Sequence, residues 1–418
     1  MSASSLANNR PFRLFWFGQA ASNLGDAFGF VAMPLLVLEV TSSVVEMGRV
    51  TAVAAAGQLV AATFSGYVVD RVNRRHLMIL CDAVRMLLYG SLPLALGLHR
   101  SSIAPIYVVA ALAAVASNLF SVAYVAAIPN LVDTEAVPSA NGRLQATQAV
   151  TYVVGAALAG AVCSRFGATW ALGIDALSFV ASLSSLASIS FRRDRTERED
   201  PRGNPLSDLW TGILFLVRHR SLRTLTLFQS AVALLGSIGL SAAVIDLIVY
   251  RLKTEFGASG RAVGVCLAFA SIGAVAGAIG AARSRRRLSL GAIVVAGTTL
   301  QATGMLAAGL GRGVVAVTIG GGLWSAGLTF RAVGAMSLRQ TATPDALLGR
   351  VVSAGWILIF GAAALGALFV TTLAARIGAS HAAICIGGLL ALVSAVGALS
   401  PLVEVPGQSH EEQKERAS

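Results

Sequence analysis

Apolar stretches about as long as a bilayer is thick recur from residue 12 to residue 402, and the charged residues are pushed into the gaps between them. About 20 residues of helix, at 1.5 Å per residue, cross a ~30 Å hydrocarbon core. Twelve such stretches are read here: 12–39, 47–69, 76–98, 103–128, 144–166, 169–191, 222–250, 262–282, 288–310, 314–338, 351–375 and 379–402. Only 12% of the residues are charged and 56% are hydrophobic, against about 25% charged in an ordinary soluble domain. A chain with so little polar surface is expected in lipid, where the backbone must satisfy its own hydrogen bonds. The expected fold is therefore an all-α integral membrane protein of twelve transmembrane helices.

The basic residues give the orientation. Of the 32 Lys and Arg, 22 fall on one side of the expected bundle and eight on the other, with Arg85 and Arg331 inside spans. By the positive-inside rule both termini are cytoplasmic in a plasma-membrane, multi-pass protein. The net charge of +12 then reads as topology plus affinity for anionic lipids; without a soluble basic domain, no nucleic-acid partner is expected. No removable signal peptide is read in residues 1–13. Cys81, Cys163, Cys266 and Cys385 fall in four different spans, as small packing residues rather than as disulfides or metal ligands.

Composition shifts sharply at 192–205, where arginines alternate with acids, Pro201, Gly203 and Pro205. This is expected to be a solvated, mobile linker. An interfacial helix should follow from Ser207, its N-cap, to Arg220, because Leu209, Trp210, Ile213, Leu216 and Val217 recur at helical spacing. The expected organisation is a six-helix bundle at 1–191, a linker with its interfacial helix at 192–221, a second six-helix bundle at 222–402 and a cytoplasmic tail at 403–418. The halves echo each other. Pro138, Gly142-Arg143 and Gly155-Ala156-Ala157 reappear as Pro344, Gly349-Arg350 and Gly361-Ala362-Ala363. Gly66 with Arg74-Arg75 reappears as Gly277 with Arg285-Arg286, although Ala281 stands where Asp70 stands. Matches between span n and span n+6 imply two six-helix pseudo-repeats.

Gly66-Tyr67-Val68-Val69-Asp70-Arg71-Val72-Asn73-Arg74-Arg75 packs three arginines and an aspartate between two apolar runs. Charge is costly at membrane depth, so this reads as a very short cytoplasmic hairpin, with Asn73 tolerating a left-handed turn. The pattern Gly-x-x-x-Asp-Arg-x-x-Arg-Arg resembles the loop 2-3 signature of the major facilitator superfamily. Asn23-Leu24-Gly25-Asp26, Asp82 to Arg85, Pro138-Ser139-Ala140-Asn141-Gly142, Leu222-Arg223 and Leu348-Gly349-Arg350-Val351 resemble its siderophore, macrolide and multidrug exporter branch. The resemblance implies alternating access, with a substrate site between the halves near the midplane. Two departures bear on coupling. Ala156 stands where antiporters of the superfamily commonly carry a kinking proline, and the middle of span four holds Ser117, Asn118, Phe120 and Ser121 rather than a buried arginine. Proton antiport is thus less firmly implied than export.

The candidate coupling and cavity residues are Asp26, Asn23, Arg331 and Asp246. Asp26 lies about 14 residues into span one, roughly 21 Å along the axis, where a carboxyl must be protonated, paired or turned to an aqueous cavity. Asp246 and Asp175 read as water-reachable charges nearer the outer ends of spans seven and six. Arg331 reads either as a site for an anion, as half of an interdomain ion pair, or as a side chain snorkelling to the cytoplasm. The gating set is Gly66, Asp70, Arg71, Arg74, Arg75, Asp82, Arg85, Gly349 and Arg350. Asp82 and Arg85, three apart, should pair on one helix face as a latch. Asp70 near Gly349 would meet the positive end of a helix dipole, while the three arginines pair across the same seam or hold anionic lipid. Gly273 and Gly277 permit close helix approach.

No Gly-Lys pair exists, so a phosphate-cradling loop and ATP hydrolysis are excluded, and no His-Glu-x-x-His motif occurs. The reading is a non-enzymatic, cofactor-free, monomeric secondary transporter that exports an amphiphilic small molecule (antibiotic, biocide or siderophore) against protons. The alternatives are metabolite uptake or a facilitator, and a non-transporting receptor of the same fold.

Overall fold

The computed structural model describes residues 9–98, 102–133, 136–189, 205–236, 243–285 and 287–402. Among these residues the chain forms fourteen α-helices and no strand: α1 Arg10–Thr41, α2 Val44–Arg71, α3 Arg74–Leu98, α4 Ala104–Ala127, α5 Val137–Phe166, α6 Ala168–Ala187, α7 Pro205–Arg218, α8 Arg220–Leu234, α9 Ala243–Thr254, α10 Gly260–Ser284, α11 Leu290–Leu310, α12 Val314–Ala342, α13 Asp345–Ile377 and α14 Ala379–Ala398. Ten of them are long and apolar enough to cross a membrane. α3, with Asp82 and Arg85 in its middle, and the short α8 and α9 are not among the ten. The linker expected at 192–204 and the tail at 403–418 lie outside the described residues.

Local chemistry sets the boundaries. Asn9 caps α1, its Oδ1 accepting from the Phe12 amide at 3.0 Å, and Ser43 caps α2 through the Glu46 amide. Pro34 and Pro93 sit inside α1 and α3, tolerated where neighbouring helices can re-satisfy the freed carbonyls. α5 turns into α6 at Gly167 (φ +91°) and α13 turns into α14 at Gly378 (φ +84°), so the same helix-glycine-helix corner is used twice.

The expected hairpin differs from the observed one. α2 continues through Arg71 and α3 begins at Arg74, so only Val72 and Asn73 connect them. Asn73 is not left-handed, because Ser42 is the sole non-glycine with positive φ among the described residues. Asn73 instead works as an N-cap, accepting from the His76 amide at 3.2 Å. Span seven, expected unbroken over 222–250, is divided: α8 ends at Leu234, Gly236 takes φ +69°, and α9 starts at Ala243. α7 already begins at Pro205, so Ser207 stands inside its first turn rather than at the expected N-cap position.

The chain divides into two compact units, Met1–Pro205 with Val249–Ala268, and Leu206–Ile248 with Phe269–Ser418. In the first unit α1 packs on α5 and α6, α3 on α4 and α6, and α2 on α4. The seam between α1 and α6 follows a heptad-like spacing. Gly18, Ser22, Gly25 and Gly29 face Asp175, Ser178, Ser182 and Ser185; a Cβ on Gly18, Gly25 or Gly29 would collide with Ser185, Ser178 or Asp175. Gln19 Nε2 donates to Ser182 Oγ at 2.9 Å inside it. α5 and α10 cross just as closely, since a Cβ on Gly160 would lie 2.5 Å from Gly264 Cα. α5 runs through Ala156 without interruption.

In the second unit α11 is held between α12 and α14. The α11–α12 seam is again heptad-like: Gly297, Gln301 and Gly304 against Gly320, Trp324, Gly327 and Arg331. Gly273 and Gly277 of α10 abut the Gly322 and Ala326 backbones of α12, which gives the small-residue spacing its partner. α7 lies on the start of α13: Gly212 touches the Arg350 backbone, and Leu216 clusters with Leu222, Val351 and Ala354. Its other face exposes Trp210, Leu214 and Val217. Gly304→Val should overpack the α11–α12 seam and cost about 1–3 kcal/mol; a thermal unfolding midpoint equal to wild type would show that the helices can part freely.

Candidate functional site

The first unit encloses three carboxyls and one guanidinium. Asp26 comes from α1, Asp82 and Arg85 from α3, and Asp175 from α6. Arg85 Nη2 binds Asp82 Oδ1, and its Nη1 lies 3.6 Å from Asp26 Oδ1. The guanidinium is sandwiched between Phe120 at 4.6 Å and Phe179 at 4.4 Å, so both aromatic faces help to hold the desolvated cation. Asp175 lies against the α1 backbone at Gly25 and Gly29. The Tyr89 and Tyr152 hydroxyls are within electrostatic reach of Asp26 and Asp175.

Exposure separates these acids. Asp82 and Asp175 are 0% and 1% exposed, whereas the Asp26 side chain keeps 29%. Asp82 Oδ2, Asp175 Oδ1 and Arg85 Nε have no hydrogen-bond partner. One base cannot neutralise three acids, and a buried charge without a partner is costly. The arrangement can therefore hold and exchange protons, with Asp26 as its open side.

Several sequence expectations change here. Asp82 and Arg85 do pair, but beside Asp26 rather than as a separate latch at the hairpin. Asp26 has two neighbouring carboxyls, Asp82 and Asp175. Asp175 and Asp246 are not water-reachable, Asp246 being 4% exposed. Asp175 announced itself only by the 3-4-3 polar spacing of Asp175, Ser178, Ser182 and Ser185 along α6. Asn23, half-buried, lies one turn before Asp26.

The second unit buries arginines. Arg331, 1% exposed, donates from Nε to Gln301 Oε1 at 2.9 Å, so it does not snorkel. Arg339, expected on the cytoplasmic side, is 2% exposed and donates from Nη2 to Gln229 Oε1. α12 runs on to Ala342, and a long helical side chain points back toward its own N-terminus.

Two of the hairpin arginines cap helix ends. Arg75 Nε and Nη2 donate to the Leu186 and Ala187 carbonyls at 2.7 and 2.6 Å, at the end of α6. Arg74 Nη1 donates to the Ala126 carbonyl at 2.9 Å, in the last turn of α4. Cations there satisfy orphan carbonyls and the negative end of the dipole. Arg71 lies over the Tyr67 ring at 3.8 Å. The Asp70 side chain lies outside the described part of the structure. Gly66 and Gly349 have open space where a Cβ would stand. Arg75→Ala should cost about 1–2 kcal/mol by freeing both carbonyls; an unchanged unfolding midpoint would refute the capping role.

Helices of membrane-spanning length, packed through glycine seams that carry buried ionisable groups, define a multi-pass membrane protein, and the family match makes it a non-enzymatic transporter of the major facilitator superfamily. The chain belongs to its transmembrane secretion effector family, whose model matches residues 2–417. It is 24% identical over 406 residues to the enterobactin exporter EntS of Escherichia coli O1:K1 / APEC, across 94% of both chains. The EntS of Shigella boydii serotype 18 is also 24% identical, over 408 residues and 94% of both. Among solved structures, the nucleoside transporter NupG matches with a TM-score of 0.73 at 9% identity, over 92% of this chain and 98% of that one. A bacterial homologue of the human lysosomal transporter Spinster gives 0.73 at 13% identity, over 97% and 98%. At such identities these two likenesses show the fold.

Proposed function

We propose that this transporter exports an amphiphilic small molecule (antibiotic, biocide or siderophore) by proton antiport with alternating access. The carrying observation is the excess of three acids, two of them buried, over one base around Asp26. A carboxyl that is alternately wet and dry can take up and lose a proton as access alternates. The export direction is supported by the family's description and by the enterobactin exporters it resembles. Twelve spans in two six-helix repeats, 1–191 and 222–402, fit the recurring Gly167 and Gly378 corners, with α8 and α9 together forming span seven. The excess of basic residues supports cytoplasmic termini, so a reporter fused after Ser418 should behave as cytoplasmic and an exported one would refute the orientation. Asp70 and the Gly349-Arg350 turn that opens α13 are proposed as gate elements, and anionic lipid as a surface partner of the basic ends.

The test is retention of two fluorescent amphiphiles, anionic 8-anilino-1-naphthalenesulfonate and cationic ethidium, in cells with and without the protein. Expressing cells should retain less of at least one dye, and a protonophore should erase the difference. A difference that survives the protonophore rules out proton drive. Greater retention in expressing cells reverses the direction and favours uptake.

A further inference from the structure

Arg339 is a buried cation with no anion beside it among the described residues. It is among the largest fully buried side chains, yet its contacts are the Gln229 amide oxygen, the Trp356 ring 5.7 Å away and the Gly355 backbone. Its Nε has no hydrogen-bond partner. Among the described residues no carboxylate offsets the burial of this guanidinium. Arg331, eight residues earlier on α12, adds positive charge within electrostatic reach. Both groups remain cationic, since arginine does not deprotonate in proteins. A desolvated guanidinium persists where something else supplies the negative charge.

The neighbouring aromatic residues bear on what that something is. Trp356 is 36% exposed although it flanks a fully buried group. It stacks on Phe360, one turn along α13, with centroids 5.2 Å apart and planes 20° apart. A partly exposed indole beside an oriented guanidinium edge matches a ligand with a planar oxyanion at one end and a ring behind it.

Resting on the reading of this chain as a small-molecule exporter, we propose that Arg339, Gln229 and Trp356 form the anion end of its substrate site, taking an aryl carboxylate or an equivalent aromatic oxyanion. Gln229 holds Nη2 and so fixes the guanidinium plane. The Nε edge is left to donate to the oxyanion, and Trp356 offers the exposed part of its indole to the ring.

The test uses purified full-length protein in detergent, with 2-naphthoate as the probe and neutral 2-naphthamide as its control. Calorimetry should show saturable naphthoate binding, with the amide much weaker. Arg339→Gln should weaken naphthoate binding by about tenfold or more, Arg339→Lys should retain part of it, and Trp356→Leu should weaken both probes. Because Arg339 variants risk misfolding, Gln229→Glu supplies an independent arm. It places a carboxylate where the ligand's is needed, and should raise the unfolding midpoint while abolishing naphthoate binding. Equal binding of naphthoate and naphthamide, or unchanged affinity in Gln229→Glu, overturns the assignment. Arg339-dependent binding of inorganic phosphate or dihexanoylphosphatidylglycerol without naphthoate binding also overturns it, in favour of a headgroup site. Protonophore-sensitive export in a protein that ignores naphthoate sinks this subsite alone, whereas naphthoate binding without such export sinks only the coupling.

Discussion

Asp175→Asn is expected to reduce pH-driven export to the level of empty vesicles while leaving the protein folded. The carboxyl is 1% exposed, lies against Gly25 and Gly29, and has an oxygen without a partner. Asparagine keeps the shape and one acceptor but cannot titrate, so packing survives and proton exchange does not. Asp26→Asn should do the same, because Asp26 is the open member of the cluster. Glutamate tells the two sites apart. At 26, with 29% of the side chain exposed, the extra methylene has room and Asp26→Glu should retain partial activity with an altered pH profile. At 175 an added carbon would press on the glycine face of α1, so Asp175→Glu should be overpacked by about 1–3 kcal/mol. Everted vesicles or proteoliposomes with an imposed pH gradient supply the measurement. A substrate gradient built normally by Asp175→Asn would make Asp175 a structural residue.

How far the sequence foretold this site depends on what each feature requires. Long apolar runs report helices directly, and the i, i+3 spacing of Asp82 and Arg85 reports a pair on one face. That Asp26 joins them does not follow from spacing, because it depends on how α1, α3 and α6 pack. Asp175 was misread because counting residues from a helix end measures depth and not company. The small-residue rhythm of α1 and the polar rhythm of α6 hold the missing information, but only when laid against each other. Arg339 was misplaced for a related reason: a basic residue near a span boundary looks like a topology charge until the helix is seen to run on to Ala342. The hairpin arginines were recognised as important, but the helix-end carbonyls that Arg74 and Arg75 hold were not, since such carbonyls carry no sequence signal. Asn73 was read for its turn tolerance when its side chain was needed as a cap. Gly236 interrupts span seven within an otherwise apolar run, where hydropathy alone sees continuity.

Arg85→Gln should have the largest effect on folding. Removing the guanidinium leaves Asp82, 0% exposed, without its ion-pair partner and strips Asp26 of the nearby positive charge. Breaking a buried pair from one side costs about 3–5 kcal/mol, because the remaining charge stays desolvated. That is a large share of the ~5–15 kcal/mol by which a typical fold is stable. The Phe120 and Phe179 faces on either side of the guanidinium would also lose their cation, a further ~0.5–2 kcal/mol. If the loss comes from charge rather than volume, Asp82→Asn added to Arg85→Gln should recover much of it, since the double variant replaces the pair by two amides able to hydrogen-bond each other. Lower pH should also partly rescue the single variant, because protonating the orphaned carboxyls removes the same charge. Thermal unfolding of a fluorescently tagged protein in detergent would follow all three. Equal instability of Arg85→Gln and the double variant, with no rescue at low pH, would mean that Arg85 matters here for its packing between the two phenylalanines and that the cluster's charge balance does not govern the fold.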